Sequence, residues 1–352
     1  MVQYARRAEL SVRIDGHDAA GIVAPYLKEF SFTDNAHGKA DELQIVLHDR
    51  DGKWAGAWRP EKGMMVQASI VCKSWETADN DIALPCGTFK IDEVEYTGPP
   101  DKFSIKAVSS SLTSQLRDSA KSRAWENSSL QHMAGQIAKE NGLSLMYAGD
   151  PHQFKRLDQR NESDLAFVCR LAGERAMHCK VHDGKLILID AATAEASLPV
   201  LTLPKTGNMY SPTEFSFKNA ASDTAYTDAE GAYTDPASGT THKASVQASD
   251  KQSDEKKTLV YHARAESAGE AMRLTKAQLH NANAEENTAS ISCMGCPRLV
   301  AGLTVNLSGF GKFSGVYFVK KAVHTLGSQE YKTQIDLTSG SQADGESAGD
   351  DI

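Results

Sequence analysis

The tetrapeptide Glu-Phe-Ser-Phe occurs twice in the chain, at Glu29–Phe32 and at Glu214–Phe217. Each copy opens a similar series of strand-like segments. In the first half, Gly63-Met64-Met65-Val66 is followed by Gly87-Thr88-Phe89-Lys90-Ile91 and then Phe103. In the second, Gly302-Leu303-Thr304-Val305 is followed by Gly315-Val316-Tyr317-Phe318-Val319 and then Tyr331. Phe103 and Tyr331 fall the same sixteen residues beyond their glycines, Gly87 and Gly315. Any two β-meanders share glycines and alternating apolar residues, but here the order of three landmarks is also kept. That favours an internal duplication of an all-β unit. Such a chain presents two equivalent modules to a partner, as a structural adapter does.

Residues 1–115 read as strands. Leu10, Val12 and Ile14 alternate before an Asp15-Gly16 turn. Phe30 and Phe32, then Leu43, Ile45 and Leu47, then Val66, Ala68, Ile70 and Cys72 alternate too. Phe89 and Ile91 follow, and last Phe103, Ile105 and Ala107. A period of two broken by Gly, Pro and Asp marks half-buried antiparallel strands. Six or more in succession favour a small barrel or sandwich, because closure removes exposed edges.

Residues 116–197 change character. Ser128-Ser129-Leu130-Gln131 fits a capping box with Ser128 as N-cap, followed by an apolar helical face of Leu130, Met133, Ala134, Ile137 and Ala138. Asn141-Gly142 supplies the stop. A second helix is expected from Asn161 to Ser163 onward, with Leu165, Val168, Cys169 and Ala172 on one face. Asp183-Gly184 between apolar runs predicts a hairpin with a type I′ turn. The region reads as an α+β domain inserted between the two β halves.

Residues 198–339 hold the second β unit with two additions. The polar stretch 219–258 reads as a surface excursion, partly hairpin and partly mobile loop. A helix over 267–281, capped by Ser267, buries Ala268, Ala271, Met272, Thr275 and Leu279. The acidic tail 340–352 is expected to be disordered.

Composition narrows the function classes. The chain has 352 residues, 40% hydrophobic and 24% charged, with a net charge of −8. That is ordinary globular composition with no basic nucleic-acid footprint, so passing DNA is repelled rather than held. No apolar run reaches the roughly 20 residues a membrane helix needs. Met1 to Leu10 lacks an apolar h-region, so a secretory signal is not expected. Six dispersed cysteines fit reduced thiols in a cytoplasm.

Several ordered motifs then resemble the phage late control protein D family, the central hub proteins of contractile-tail baseplates. They are Ala40-Asp41-Glu42-Leu43-Gln44-Ile45-Val46-Leu47-His48-Asp49, closed by Asp51-Gly52-Lys53-Trp54; the stretch from Gly87 to Gly98-Pro99-Pro100; and Trp125-Glu126-Asn127-Ser128-Ser129-Leu130. The most specific is Asp158-Gln159-Arg160-Asn161-Glu162-Ser163-Asp164-Leu165-Ala166-Phe167 with Arg170-Leu171-Ala172, which in the family opens the second helix of the middle domain. Ser314 to Tyr317, His324 and Tyr331-Lys332-Thr333 are also family-like. The resemblance runs from about residue 8 to residue 338. The stretch 219–258 departs from it, being longer and simpler than the family pattern.

The resemblance implies a mainly β fold with two antiparallel barrels like the tail tube protein, plus a small α+β domain. It implies a homotrimer forming a nearly sixfold ring, adapting a hexameric tail tube to a trimeric spike that is a separate protein. Other implied partners are further baseplate proteins and the tape measure protein, in a virion tail baseplate assembled in the host cytoplasm. Neither nucleic-acid binding nor membrane insertion by the chain itself is implied.

Candidate chemistry is sparse. Cys293-Met294-Gly295-Cys296 is a C-x-x-C that suits a redox or half-zinc site, but it adjoins Pro297 without a thioredoxin-like helix start. His178 and His182 are spaced for a shared metal on a helix; on a strand they stand about 13 Å apart. Asp49-Arg50-Asp51-Gly52 begins like a calcium loop but lacks the later ligands, and reads as a hairpin turn. H-E-x-x-H and G-x-S-x-G motifs are absent. No catalytic, cofactor or metal residue is therefore assigned, and a tail-associated peptidoglycan hydrolase is the rival class. A carbohydrate-binding module is the third, poorly matched by 7% aromatic residues. Trp54, Trp58 and Trp75 fit either interface anchors or plugs of a barrel end.

Overall fold

A computed structural model describes residues 5–110, 114–220, 224–234, 241–248, 256–262, 265, 267–327 and 330–339. The first β unit comprises β1 (Arg7–Ile14), β2 (His17–Asp18), a short helix α1 (Ala20–Val23), β3 (Leu27–Asn35), β4 (Glu42–His48), β5 (Met65–Lys73), β6 (Ile82–Thr97) and β7 (Lys102–Ser109). Alternation does what period two requires. In β5, Val66, Ala68, Ile70 and Cys72 are buried while their neighbours face outward. They join Phe30, Phe32, Ile45, Phe89 and Ile105 in one core.

The middle segment carries α2 (Ser114–Arg117), β8 (Ala120–Ser129), α3 (Leu130–Glu140), β9 (Ser144–Ala148), β10 (Gln153–Ser163), α4 (Asp164–Glu174), β11 (Met177–His182), β12 (Lys185–Asp190) and α5 (Ala191–Glu195). Its own core includes Leu130, Met133, Ile137, Phe167, Leu171 and Leu188. The N-cap of α3 is Ser129 rather than Ser128: its hydroxyl accepts the His132 amide at 3.0 Å. The shift arises because β8 stays paired with β10 through Ser129↔Gln153, holding Ser128 in the ladder. On α4 the buried face is Phe167, Val168, Leu171 and Ala172, with Leu165 and Cys169 at its margin. Asp183 and Gly184 both take positive φ (46° and 69°), as a type I′ turn demands.

The most specific motif proves to be a local brace. Buried Gln159 accepts from Arg123 Nε at 2.9 Å and donates to Asp164 at 3.0 Å. Glu162 pairs with Arg170 at 2.7 Å, and Ser163 caps α4 through the Ala166 amide. Asp164, fully buried, takes Lys121 at 2.5 Å and Arg123 at 2.7 Å, while Phe167 stacks on Trp125. Gln159, Glu162, Ser163, Asp164 and Phe167 together fix the entry of α4 against β8 and β10.

The second β unit contains β13 (Leu201–Pro204), β14 (Glu214–Asn219), β15 (Asp228–Thr234), β16 (Thr241–Gln247), β17 (Thr258–Tyr261), α6 (Ala268–Asn283), β18 (Asn287–Met294), β19 (Thr304–Ser308), β20 (Gly315–Gly327) and β21 (Tyr331–Ser339). Within the 219–258 stretch, β15 and β16 form the expected hairpin, and β17 adds in parallel to make a small sheet against α6. Residues 221–223, 235–240 and 249–255 of that stretch, and the acidic tail 340–352, lie outside the described residues. Ser267 caps α6 as expected. Leu274 takes the buried place assigned to Met272, which is 45% exposed.

Both units use one strand order. The first runs β3-β4-β7-β6-β5-β1 and the second β14-β18-β21-β20-β19-β13. The match extends to single residues. Ile45 opposes Ile105 where Ile291 opposes Ile335. Gly63 N–H donates to Ile91 O, and Gly302 N–H to Val319 O, both at 2.8 Å. Asp92 and Lys320, each five residues past the opening glycine, are bulged out of their ladders. The landmark Tyr331 is the exception. The second hairpin is two residues longer, so Thr333, opposite His324, takes the place that Phe103 has opposite Tyr96.

The units are not separate closed barrels. β20 pairs with β3 and fuses them into one 13-stranded sheet, and among the described residues no ladder closes either unit on itself. The edge of β3 that closure would need is occupied by the neighbouring unit. The outermost strands also differ: β1 runs antiparallel to β5, but β13 runs parallel to β19. The fold remains mainly β with an α+β insertion.

Candidate assembly interface

The junction inside the chain defines a template. The second half of β20 lies antiparallel to β3, from Lys321↔Asn35 to Gly327↔Glu29. At its centre His324 opposes Phe32, and the rings stack with centroids 6.1 Å apart. His324 is fully buried. Its ring nitrogens lie 2.9 Å from the Leu299 carbonyl and the Tyr331 hydroxyl. Burial pushes its pKa down to about 4, so the ring is neutral and donates to the carbonyl. Trp75 completes the joint: its indole N–H donates to Gly295 O at 2.8 Å and its ring packs on Tyr331.

The equivalent elements of the other kind are open. Among the described residues β14 pairs only with β18, and β6 beyond its bulge pairs only with β7. Their side chains reflect it. Phe215 is 44% exposed where its counterpart Phe30 is 0%, and Tyr96 is 49% exposed where its counterpart His324 is 0%. Transferring the register of β20 on β3 to β6 on β14 sets Val94 opposite Asn219, Glu95 opposite Lys218, Tyr96 opposite Phe217 and Thr97 opposite Ser216. That pairing brings together one opposite-charge pair and one aromatic pair. Both are stabilising cross-strand combinations.

The middle segment is latched to the sheet by buried charge. Lys180 of β11 bonds Asp34 of β3 and lies 3.3 Å from Asp41, which also meets His182 at 3.2 Å. Burial raises the Asp34 carboxyl. Burial also works to raise Asp41, but the His182 hydrogen bond and Lys180 outweigh it and hold that carboxyl below the ordinary range. Nearby, His178 stacks between His37 and Phe318, each centroid 4.7 Å away. Burial holds the His178 ring down to about 3. These contacts come from sequence separations above 100 residues, so no local motif announces them.

The residues singled out from sequence disperse. His178 and His182 both lie on β11, but one stacks on rings and the other binds Asp41. Cys293 and Cys296 are fully buried, and burial pushes their thiols up to about 12 and about 11. The motif's distinctive residue is Gly295: a Cβ there would fall inside the Tyr331 ring. Among the described residues no cluster of three or more His, Cys, Asp or Glu is placed to hold a metal. The Asp49 carboxylate is spent on the Trp54 and Ala55 amides, both at 3.0 Å. The turn it caps is not a hairpin, since β4 pairs with β3 and β7 and not with β5. Trp54 is buried and Trp58 is 39% exposed; they meet edge to face over Tyr26, while Trp75 sits apart at the junction. In the cleft between α5 and α6, Glu195 lies 3.4 Å from His280, and Asp150 lies 3.6 Å from Arg273. Among the described residues, no helix is long and apolar enough to cross a membrane.

Residues 107–330 match the family model described as phage tail baseplate hub (GPD). A probable baseplate hub protein of Escherichia phage P2 is 32% identical over 181 residues, 51% of this chain and 44% of the relative. The aligned stretch thus spans less than half of that protein. The 43 kDa tail protein of prophage MuSo2 from Shewanella oneidensis has the same fold, with a TM-score of 0.70 at 13% identity over 94% of this chain and 98% of that one. The tail protein from Neisseria meningitidis MC58 aligns with a TM-score of 0.67 at 16% identity, covering 94% and 96%.

Proposed function

The chain belongs to the phage tail baseplate hub (GPD) family, and from that premise we propose that it is a non-enzymatic baseplate hub that trimerises into a ring of six equivalent β units. Each subunit has three bodies in this reading, 1–115, 116–197 and 198–339. The observation that carries it is the repeated strand order of the sheet, with one junction made and its counterpart open. An exposed strand edge is a template for pairing with another chain. Three chains of two units give six. β14 of each lies antiparallel on the second half of β6 of the next, and every junction then has the same strand register. Successive units are related by about sixty degrees.

A trimer of doubled units meets sixfold and threefold partners at once. The hexameric tail tube docks on one side and a trimeric spike on the other. Further baseplate proteins and the tape measure protein complete its contacts in the virion tail. The paired acids of the cleft support a structural rather than hydrolytic role.

Light scattering of the purified chain over a concentration series, alone and with spike, is the test. A concentration-dependent trimer seen as a ring by electron microscopy is expected, since assembly follows mass action. A strict monomer at high concentration that stays monomeric with spike or tube protein overturns the reading.

A further inference from the structure

The six cysteines fall into two groups. Cys72, Cys86, Cys293 and Cys296 are buried core side chains whose thiols are held up by desolvation. A thiol so placed is a poor nucleophile. Cys169 and Cys179 differ in placement. Cys169 lies at the margin of the buried face of α4 and is partly exposed; Cys179 lies on β11 and is buried. Their sulfurs are 3.2 Å apart. The chain between them turns sharply at Ala176, at a φ of 50°, which lays β11 back along α4. A disulfide places its sulfurs about 2.05 Å apart, so the pair has about 1.2 Å to close, within reach of side-chain rotation. The contact between the two sulfurs lowers the Cys169 thiol from its ordinary value and raises that of Cys179, favouring the thiolate at the partly exposed member.

We propose that Cys169 and Cys179 form a redox pair that closes an intrachain disulfide by exchange with a low-molecular-weight disulfide such as oxidised glutathione. The Cys169 thiolate attacks one sulfur of the oxidant. A mixed disulfide forms, and the first glutathione leaves as a thiolate that takes up the proton Cys169 released. Cys179 then gives up its proton and attacks the Cys169 sulfur, expelling the second glutathione as a thiol. The two protein thiols lose two electrons, and one glutathione disulfide becomes two thiols.

The bridge acts where the middle segment meets the sheet. The Cys179 carbonyl accepts the Gly38 amide at 3.1 Å, and the next residue, Lys180, reaches Asp34 and Asp41. Tying β11 to α4 couples the brace around Asp164 to this latch. The C-x-x-C visible in the sequence is inert core, and the reactive pair is one that only folding brings together.

The folded full chain is incubated with oxidised glutathione, quenched with iodoacetamide and digested without reduction. The expected result is an intact mass lower by two hydrogens, a Cys169–Cys179 linked peptide, and at least a tenfold fall in Cys169 alkylation that a phosphine reductant reverses. Cys179→Ser should instead accumulate a stable glutathione adduct on Cys169, and Cys169→Ser should give neither product. Circular dichroism confirms that both variants fold, and if either does not, the linked peptide of the unsubstituted chain decides alone. Unchanged Cys169 alkylation, a persistent glutathione adduct in the unsubstituted chain, or linkage to any other cysteine overturns the proposal.

Discussion

Reversing Lys218 to Glu sets two carboxylates opposite each other at every junction between subunits of the proposed ring. Lys218 and Glu95 are both exposed in the single chain, so neither change disturbs a core. An opposite-charge cross-strand pair contributes about 0.2–1 kcal/mol, and like charges directly opposite destabilise by a similar amount. Lys218→Glu therefore costs about 0.5–2 kcal/mol per junction. A closed ring has three such junctions. The trimer constant should fall about tenfold at the lower bound and about twenty-thousandfold at the upper. Glu95→Lys should weaken it equally, and the double reversal should restore it. Sedimentation velocity over a concentration series at low and high salt reads this directly. The loss should shrink with added salt, because rim charges are screened beyond about 8 Å at physiological ionic strength. Melting of the dilute monomer should shift by no more than about 0.5 kcal/mol for either single variant, the usual range for surface substitutions. If both single variants assemble like the unsubstituted chain, or the double variant assembles no better than the singles, β14 and β6 do not pair in this register.

Gly295→Ala forces a methyl into the Tyr331 ring, and overpacking of this kind should cost about 1–3 kcal/mol by chemical denaturation. His324 has its folded pKa lowered to about 4 against about 6.5 when unfolded, so its stabilisation is complete near neutral pH and drains away as pH falls from about 6.5 to about 4. The loss approaches about 3 kcal/mol, and in His324→Asn the slope of stability with pH in that window should drop by up to about 1.4 kcal/mol per pH unit. Asp164→Ala strips Lys121, Arg123 and Gln159 of their shared acceptor and should cost about 3 kcal/mol, near the low end for a broken buried pair because both cations keep a quarter of their exposure. Burial alone would raise the Asp164 carboxyl, but its partners outweigh that and hold it low. Its stabilisation is thus present above the ordinary Asp pKa of about 3.9 and lost as pH falls further. Denaturation of the unsubstituted chain and Asp164→Ala should converge in strong acid.

What the sequence determines here is local. Period-two alternation places Val66, Ala68, Ile70 and Cys72 inward, since side chains of a strand alternate faces whatever the rest of the chain does. Gly63 and Gly302 hold the same positive φ, near 90°, and the same hydrogen bond, so the duplication is legible from spacing. Ser163 and Ser267 cap the helices their motifs predict, because a cap involves residues only three apart. Tertiary structure decides what depends on partners far along the chain. It moves the α3 cap by one residue, lengthens the second hairpin so that Thr333 replaces Tyr331 as the counterpart of Phe103, and leaves both β units open. Most plainly, it gives one tetrapeptide two environments. Phe30 and Phe32 are buried because β3 has a strand on each side, whereas Phe215 stands exposed on β14, which among the described residues has a strand on one side alone. Burial is a property of the assembled surface, and four identical letters cannot carry it.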